Sequence, residues 1–479
     1  MRPGLERCCE FPVSARLSSN RTKNQREFRN TLGGVASILL TEILQMPKPL
    51  IFAMLVLCSP ALAQEAASFR GNAAHTGVYN APGATTFHKI KWQFHTGGKI
   101  FSSPAVAGGT VYFGSNDHFL RAVHLETGAE KWKFETGSRI PSSPAIANGM
   151  VYFLSYDSNF YALDAATGAL KWKFRTEGER RFAAKHIHGI EPASETMPDP
   201  FDFFLSSPAV SNGVVYFGSS DSNVYALDAA TGAVKWKFKT GDVVHSSPAV
   251  SANTVFIGSW DTFLYALDAA TGKEKWRFKT GEDHAIYNQL GIQASPAVAE
   301  GIVYFGCRDS NFYAVDAETG KQLWTFSNKG SWVINSAAIR DGKVYFATSD
   351  TGLLRALDAK SGALLFNVDF NHWPMFSSPA LAGNTLYLGS HQGRLLAIDL
   401  AAQKLAWSFD TEAFKTNGPA LTDAKSAPNY AAAFADSFYD DIVSGIQKMS
   451  SVGMILSSPA VSGDTVVFGS ADGNLYAIM

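Results

Sequence analysis

One unit of four short motifs recurs eight times along this chain, and no other feature restricts its fold as strongly. A representative copy opens with Ser206-Ser207-Pro208-Ala209-Val210 and continues through Val214-Val215-Tyr216-Phe217-Gly218-Ser219 and Asn223-Val224-Tyr225-Ala226-Leu227-Asp228. It closes with Lys235-Trp236-Lys237-Phe238. The opening motif returns with its second position at Ser103, Ser143, Ser207, Ser247, Ser295, Ser336, Ser378 and Ser458. The closing aromatic returns at Trp92, Trp132, Trp172, Trp236, Trp276, Trp324 and Trp407, with Phe366 in the remaining slot. Each motif is a short run of β-branched and aromatic residues bounded by Gly, Asp and Asn turns, which predicts four strands per unit. Four-stranded sheets repeated radially make a propeller. The expectation is an all-β, eight-bladed β-propeller.

The order of the motifs predicts how the ring closes. The chain supplies a closing strand first, Lys91-Trp92-Gln93-Phe94, and ends at Ala477-Ile478-Met479 without one, so the N-terminal strand is expected to complete the last blade. In Lys235-Trp236-Lys237-Phe238 the period-two alternation puts the aromatics on one face and the lysines on the other. Flanking lysines suit the exposed outer edge of a blade, and each Trp is expected to pack on the next blade.

Upstream of the repeat, Met46-Pro47-Lys48-Pro49, the apolar run Leu50 to Leu57 and Ala61-Leu62-Ala63 read as an export signal cut after Ala63. The run is shorter than the roughly 20 residues a membrane span needs. Residues 1–63 are thus an extension plus signal with Met46 as the expected start. Residues 64–86 form a lead-in and 87–479 the propeller. A periplasmic or secreted location follows, with no transmembrane span after cleavage. Residues 64–479 hold one cysteine, Cys307, so no internal disulfide is expected. The 41 Lys/Arg balance 42 Asp/Glu, which removes the basic footprint of a nucleic-acid binder. A monomer is expected.

Length variation locates the working face. From opening Ser to closing aromatic the spacing is 29 in every complete unit except 336→366, where it is 30. Between units the gap is 11 or 12, except for insertions at 177–205, 282–293 and 412–456. These connections share one rim of a propeller with the turns between second and third strands, and rigid elements carrying variable loops are where function concentrates. In the third insertion a start signal at Ser426-Ala427-Pro428, followed by Phe434, Phe438, Ile442 and Ile446, predicts one amphipathic helix over 427–449 lying across that face.

Comparison among the copies separates scaffold from exception. The Asp of Ser-x-Asp (Asp117, Asp157, Asp221, Asp261, Asp309, Asp350, Asp472) and that of Leu-Asp-Ala-x-Thr-Gly (Asp164, Asp228, Asp268) recur too often to be catalytic and read as turn residues. Trp260, Trp332 and Trp373 lie outside the repeat slots, all on the predicted loop face, and are candidates for exposed or funnel-lining binding aromatics. The alternative is packing beneath the insertions. The residue before the turn Asp varies around the ring, with Trp260, Arg308 and His391 among its distinctive members. Arg308 is a candidate for a ligand carboxylate or phosphate, or for an ion pair with Asp309 or a loop acid. His245, Asn288 and Gln289 are expected nearby. His186 and His188, followed by Glu191, Glu195, Asp199 and Asp202, form the single candidate metal stretch. No catalytic residue is identified.

The units Val-Tyr-Phe-Gly-Ser-x-Asp, Tyr-Ala-Leu-Asp-Ala-x-Thr-Gly and Lys-Trp-x-Phe, with the lead-in Phe69-Arg70-Gly71-Asn72-Ala73-Ala74-His75-Thr76-Gly77, resemble the pyrroloquinoline-quinone-like propeller repeat. The resemblance spans Phe69 to Met479. It implies either a BamB-type scaffold or binding module or a quinoprotein alcohol or sugar dehydrogenase using pyrroloquinoline quinone with Ca²⁺. The enzymes it resembles carry a vicinal Cys-Cys disulfide and acidic or amide calcium ligands, and no position of residues 64–479 supplies that pair. The expectation is a propeller that binds a protein or small-molecule ligand through its loop face, with no cofactor assigned. The quinoprotein oxidoreductase is the alternative.

Overall fold

Residues 64–479 form one unit, and the computed structural model describes residues 67–185, 196–281, 291–434 and 442–479 of it. Eight four-stranded antiparallel sheets follow one another along the chain as the blades of a propeller. In the third blade Ala209–Ser211 is innermost, followed outward by Val214–Gly218, Asn223–Asp228 and Val234–Lys239. The middle strands of the blades are buried on both faces, while the outer strand alternates, as its Lys-Trp-Lys-Phe pattern requires.

Closure works as the motif order predicts. Ile90–His95 pairs antiparallel with Asn474–Ile478 and completes the eighth blade. A second closure lies near the axis. The amide of each opening serine donates to the hydroxyl of the next copy at 2.8–3.1 Å in seven of the eight neighbouring pairs, including Ser458 N to Ser103 Oγ at 2.8 Å. The opening serine is therefore a joint between blades.

The outer joint is made by the closing tryptophan. Trp132 Nε1 donates to Ala165 O of the next blade at 3.0 Å, and Trp236 Nε1 to Ala269 O at 2.9 Å. Beneath six of the seven tryptophans lies the glycine of the next Thr-Gly or Ser-Gly turn; at Gly272, with φ +71°, a Cβ would come within 2.6 Å of Trp236. The chain tests this pairing itself. Where Phe366 replaces the tryptophan, the corresponding turn of the next blade carries Gln403 in place of glycine, also at positive φ. A residue with a Cβ stands where no indole covers it.

Both recurrent aspartates are turn residues. Asp221 accepts from Asn223 N at 2.9 Å and, from the neighbouring connection, Glu177 N at 2.9 Å. Asp164 accepts from Thr167 N at 3.0 Å and Ala166 N at 3.1 Å.

The lead-in runs along the end of the ring where first and second strands turn. It pairs in passing with successive inner strands, as in Ile339 N to Thr76 O and Leu381 N to Gly77 O. Arg70, 1% exposed and at φ 64°, donates to Pro379 O and to Ala337 O at 2.8 Å, and the His75 ring meets Pro296 O at 3.2 Å. This anchoring explains the Arg and His of the lead-in motif.

The third insertion departs from the single helix expected over 427–449. Its described residues form three helices: α1 (Glu412–Leu421), α2 (Tyr430–Ala433) and α3 (Ile442–Ser450). Helix α1 is capped by Thr411, whose hydroxyl accepts from Phe414 N, and α2 stops at Phe434 after one turn. Within 427–449, Gly445 packs against Phe434 on the facing segment, so apolar residues four apart mark a folded-back pair instead of one stripe. Phe438 lies outside the described residues.

Candidate functional site

Insertions one and three meet over the ring in a single apolar cluster. Phe201, Phe203 and Phe204 from the first join Leu421, Ala433, Met449 and Met454 from the third, together with Phe101, Trp332, Trp373 and Phe376 from the short connections. The second insertion reaches the same face, where Gln293 Nε2 donates to Phe201 O at 3.4 Å. The insertions thus share one end of the propeller, opposite the lead-in.

Three carboxylates, Asp199 and Asp202 buried and Glu179 half-buried, anchor the first insertion. Asp199 pairs with the Arg308 guanidinium, which also donates to Gln293 Oε1 from Nε at 3.0 Å and Nη2 at 2.6 Å. That guanidinium lies between Trp260 and Trp332, 4.4 and 4.3 Å from their ring centroids. Glu179 accepts from Ser219 Oγ, Ser220 Oγ and Thr176 Oγ1 at 2.5, 2.7 and 2.9 Å. Asp202 accepts from Phe182 N at 2.7 Å and faces His245 Nδ1 at 2.9 Å.

The last contact belongs to a Ser-His-Asp arrangement, since Ser220 Oγ is 2.8 Å from His245 Nε2. Its protons run the wrong way for nucleophilic activation. Burial alone would lower the His245 pKa, but the Asp202 carboxylate, with Glu179 beyond it, raises it above the ordinary value. The Ser220 hydroxyl donates to Glu179 Oε2 at 2.7 Å, so its proton is committed to a carboxylate and not to the imidazole. The group is a structural network.

These contacts decide where the candidate residues sit. The three tryptophans were candidates for exposed or funnel-lining aromatics, with packing beneath the insertions as the alternative; none is exposed, and Trp260 and Trp373 follow the alternative. Trp260, 2% exposed, stacks on Phe182 with centroids 4.2 Å apart, and Trp373, 1% exposed, donates from Nε1 to Ser426 O at 2.9 Å beneath the third insertion. Each insertion needs apolar surface to rest on, and these rings provide it. Arg308 pairs with a loop acid, Asp199, and not with Asp309, so its donors are engaged within the fold. His245 is likewise committed. Asn288, Gln289, His186 and His188 lie outside the described residues. The hairpin of Ala183–Lys185 with Thr196–Pro198 flanks the two histidines, and among the described residues no cluster of His, Cys, Asp or Glu could hold a metal. Cys307 is free and buried, its thiol pushed up to about 12 by burial and by Asp309.

Trp332 and His391 remain, and both line a cavity of about 320 Å³. Phe201, Phe203, Phe376, Ile446, Met449 and Met454 form its apolar wall, and Tyr430, 46% exposed, stands at its mouth. Burial lowers the His391 pKa to about 3, so the ring is neutral, edge-on to Phe376 at 4.1 Å. Its Nε2 and the Trp332 Nε1 are both buried without a partner. A second cavity, about 190 Å³, touches Phe203 and Ile446 from the other side and carries Lys99, Arg139, Arg181 and Asn116. The axial cavity inside the serine ring measures only about 40 Å³.

Part of this lining comes from a position that the sequence reading passed over. Four residues before each opening serine the chain reads Lys99, Arg139, Phe203, Val243, Gly291, Trp332, Pro374 and Met454 around the ring. Six of the eight border one of the two cavities. Variation at a fixed slot of an otherwise uniform repeat was the available signal.

No curated protein sequence matches the chain. Among solved structures, BamB from Moraxella catarrhalis is similar at 16% identity and a TM-score of 0.58, covering 82% of this chain and 97% of that one. A europium-containing methanol dehydrogenase is similar at 14% identity and a TM-score of 0.62, covering 89% and 100%. The quinohemoprotein alcohol dehydrogenase from Comamonas testosteroni is similar at 15% identity and a TM-score of 0.61, covering 86% and 80%. At such identities the likeness shows the fold alone. The family model described as outer membrane protein assembly factor BamB matches residues 88–195, 191–325 and 308–479, and the chain belongs to that family of propellers.

Proposed function

We propose that this propeller is an exported binding or scaffold module that recognises its partner through the loop face, and that it works in the periplasm or outside the cell. The observation that carries the reading is the cavity between Trp332, Phe376 and Tyr430. It is an apolar concavity with an exposed aromatic rim and two unpartnered buried nitrogens, built by the segments that vary while the blades repeat. Its volume falls at the lower end of the roughly 300–1,000 Å³ of ligand sites. The family's name supports a protein partner. No helix among the described residues is long and apolar enough to cross a membrane.

The alternative, quinoprotein chemistry, finds less support in these residues. A quinone bound with Ca²⁺ needs a slot for a fused ring system and about six to eight oxygen ligands for the ion. The axial cavity is about 40 Å³, and the loop-face cavity of about 320 Å³ offers a single carboxylate, Asp350. Cys307 has no partner for a vicinal pair.

Two experiments test the reading. In capture from a cell-envelope extract, wild type is expected to retain partners that Trp332→Ala plus Tyr430→Ala loses and that Lys343→Ala, on the opposite rim, keeps. Equal capture by all three would remove recognition from the loop face. Saturable spectral change on adding pyrroloquinoline quinone and Ca²⁺, with dye-linked oxidation of an alcohol or sugar, would establish the alternative instead.

A further inference from the structure

The two loop-face cavities differ in chemistry and meet at a shared wall. On one side Trp332, Phe376 and Met454 present apolar surface; on the other stand Lys99, Arg139 and Arg181. Phe203 and Ile446 border both. Phe203 spans the boundary, with its ring 5.5 Å from Phe101 on the basic side and 6.2 Å from Phe376 on the apolar side.

The three cations have no carboxylate partner among the described residues. Lys99 Nζ donates to a neutral group, Ser450 Oγ, at 2.7 Å. The Arg139 guanidinium rests on the Tyr156 ring 4.1 Å from its centroid. Arg181 Nε is buried and unbonded, as are Asn116 Oδ1 and the Tyr156 hydroxyl. Asp202, whose charge reaches Tyr156, is already bonded to Phe182 N and His245. Elsewhere on this face the fold pairs its buried charge, as Asp199 does for Arg308. Partly buried cations left without a counter-charge are costly, and an incoming anion relieves that cost. Asp350, the acid bordering the apolar cavity, accepts from Ser349 Oγ at 2.5 Å on the sixth blade, across the ring from Lys99 and Arg139 on the first two connections.

We propose that the paired cavities form one site for a small amphipathic anion, a carboxylate carried on a medium-chain acyl or arylalkyl body, with the body between Trp332, Phe376 and Tyr430 and the carboxylate at Arg139, Arg181 and Lys99. This rests on the loop-face reading and gives that site a ligand class. The bidentate fork of an arginine suits a carboxylate. The apolar cavity alone would take any greasy body; the basic cavity makes the choice.

Decanoate is the probe, followed by titration calorimetry on the full chain. Decanol supplies the body without the charge, acetate the charge without the body, and decylamine the opposite charge. Decanoate is expected to bind at least about tenfold more tightly than decanol, in line with one or more charge-assisted hydrogen bonds. Acetate and decylamine are expected to bind more weakly than decanoate. Arg139→Gln and Arg181→Gln are each expected to weaken decanoate about tenfold and to leave decanol unchanged. The wild-type comparison needs no variant, so it holds even if a substitution unfolds the chain. Equal affinity for decanoate and decanol, or no binding of decanoate, overturns the proposal. Partner capture is run in parallel. Capture that is lost in Trp332→Ala plus Tyr430→Ala but indifferent to excess decanoate would leave the loop face standing and the anion refuted.

Discussion

Replacing Gly272 with alanine tests the joint that repeats around the ring, and a matched control isolates its cause. Gly272 and Gly301 have nearly the same backbone, with φ of +71° and +77°. A Cβ at Gly301 meets nothing within 4 Å, whereas one at Gly272 comes within 2.6–2.8 Å of three atoms of the Trp236 ring. Both variants bear the left-handed cost of a Cβ, about 1–2 kcal/mol. Only Gly272→Ala must also displace the indole, a strain of about 1–3 kcal/mol, and disturb the 2.9 Å bond from Nε1 to Ala269 O, about 1 kcal/mol more. Gly272→Ala should therefore be less stable than Gly301→Ala by about 2–4 kcal/mol. For a chain of this size the unfolding entropy is near 0.9 kcal/mol/K, so the difference amounts to only about 2–4 °C in melting temperature. Urea unfolding followed by far-UV circular dichroism resolves it better. Trp236→Phe should recover part of the loss in a double-mutant cycle, as Phe366 over Gln403 does naturally. Equal destabilisation by the two alanines would refute the indole-on-glycine joint.

Deleting residues 87–96 removes the strand that pairs with Asn474–Ile478 and the Trp92 bond to Leu125 O at 2.7 Å. A loss of several kcal/mol is expected, and an unchanged melting curve would contradict the closure. Asp199→Ala leaves Arg308, 1% exposed, without its anion and should cost about 3–5 kcal/mol by urea unfolding, with Asp199→Asn milder. Burial lowers both His75 and His391 to about 3, with Arg70 adding to the shift at His75. Their folded values lie below the unfolded one, so the stability they confer is complete above about pH 6.5 and lost as pH falls toward 3, at up to about 1.4 kcal/mol per pH unit each. His245 has the opposite sign: its contribution is full below about pH 6.5 and fades as pH rises through its raised folded value. His391→Gln should flatten the acid limb of a stability–pH curve by close to one proton, and an unaltered slope would contradict the burial argument.

The blades were legible in the sequence because the same environment is written eight times. A spacing of 29 and a tryptophan in seven of eight slots fix strand number, blade number and the direction of closure, and exceptions such as Phe366 identify themselves. The loop face was legible as a place but not as a site. Each of its contacts occurs once and joins residues far apart, as Asp199 joins Arg308, and no periodicity announces such a pair. An unusual residue also has two physical uses. Trp260 and Trp373 stand out from the repeat because the insertions need apolar ground to rest on, which from sequence looks the same as ligand-facing surface. The third insertion misled for a related reason, since Phe434 and Ile446 keep helical spacing while lying on separate helical segments.

Recognition at the loop end is the claim on which the functional reading depends, and site-specific photocrosslinking examines it most directly. A photoreactive residue at Tyr430, on the rim of the larger cavity, should yield a discrete adduct in cell-envelope extracts, and excess unlabelled wild-type propeller should suppress it. The same residue at Lys343, exposed on the opposite rim, should yield none. Adducts at Lys343 and none at Tyr430 would contradict the account.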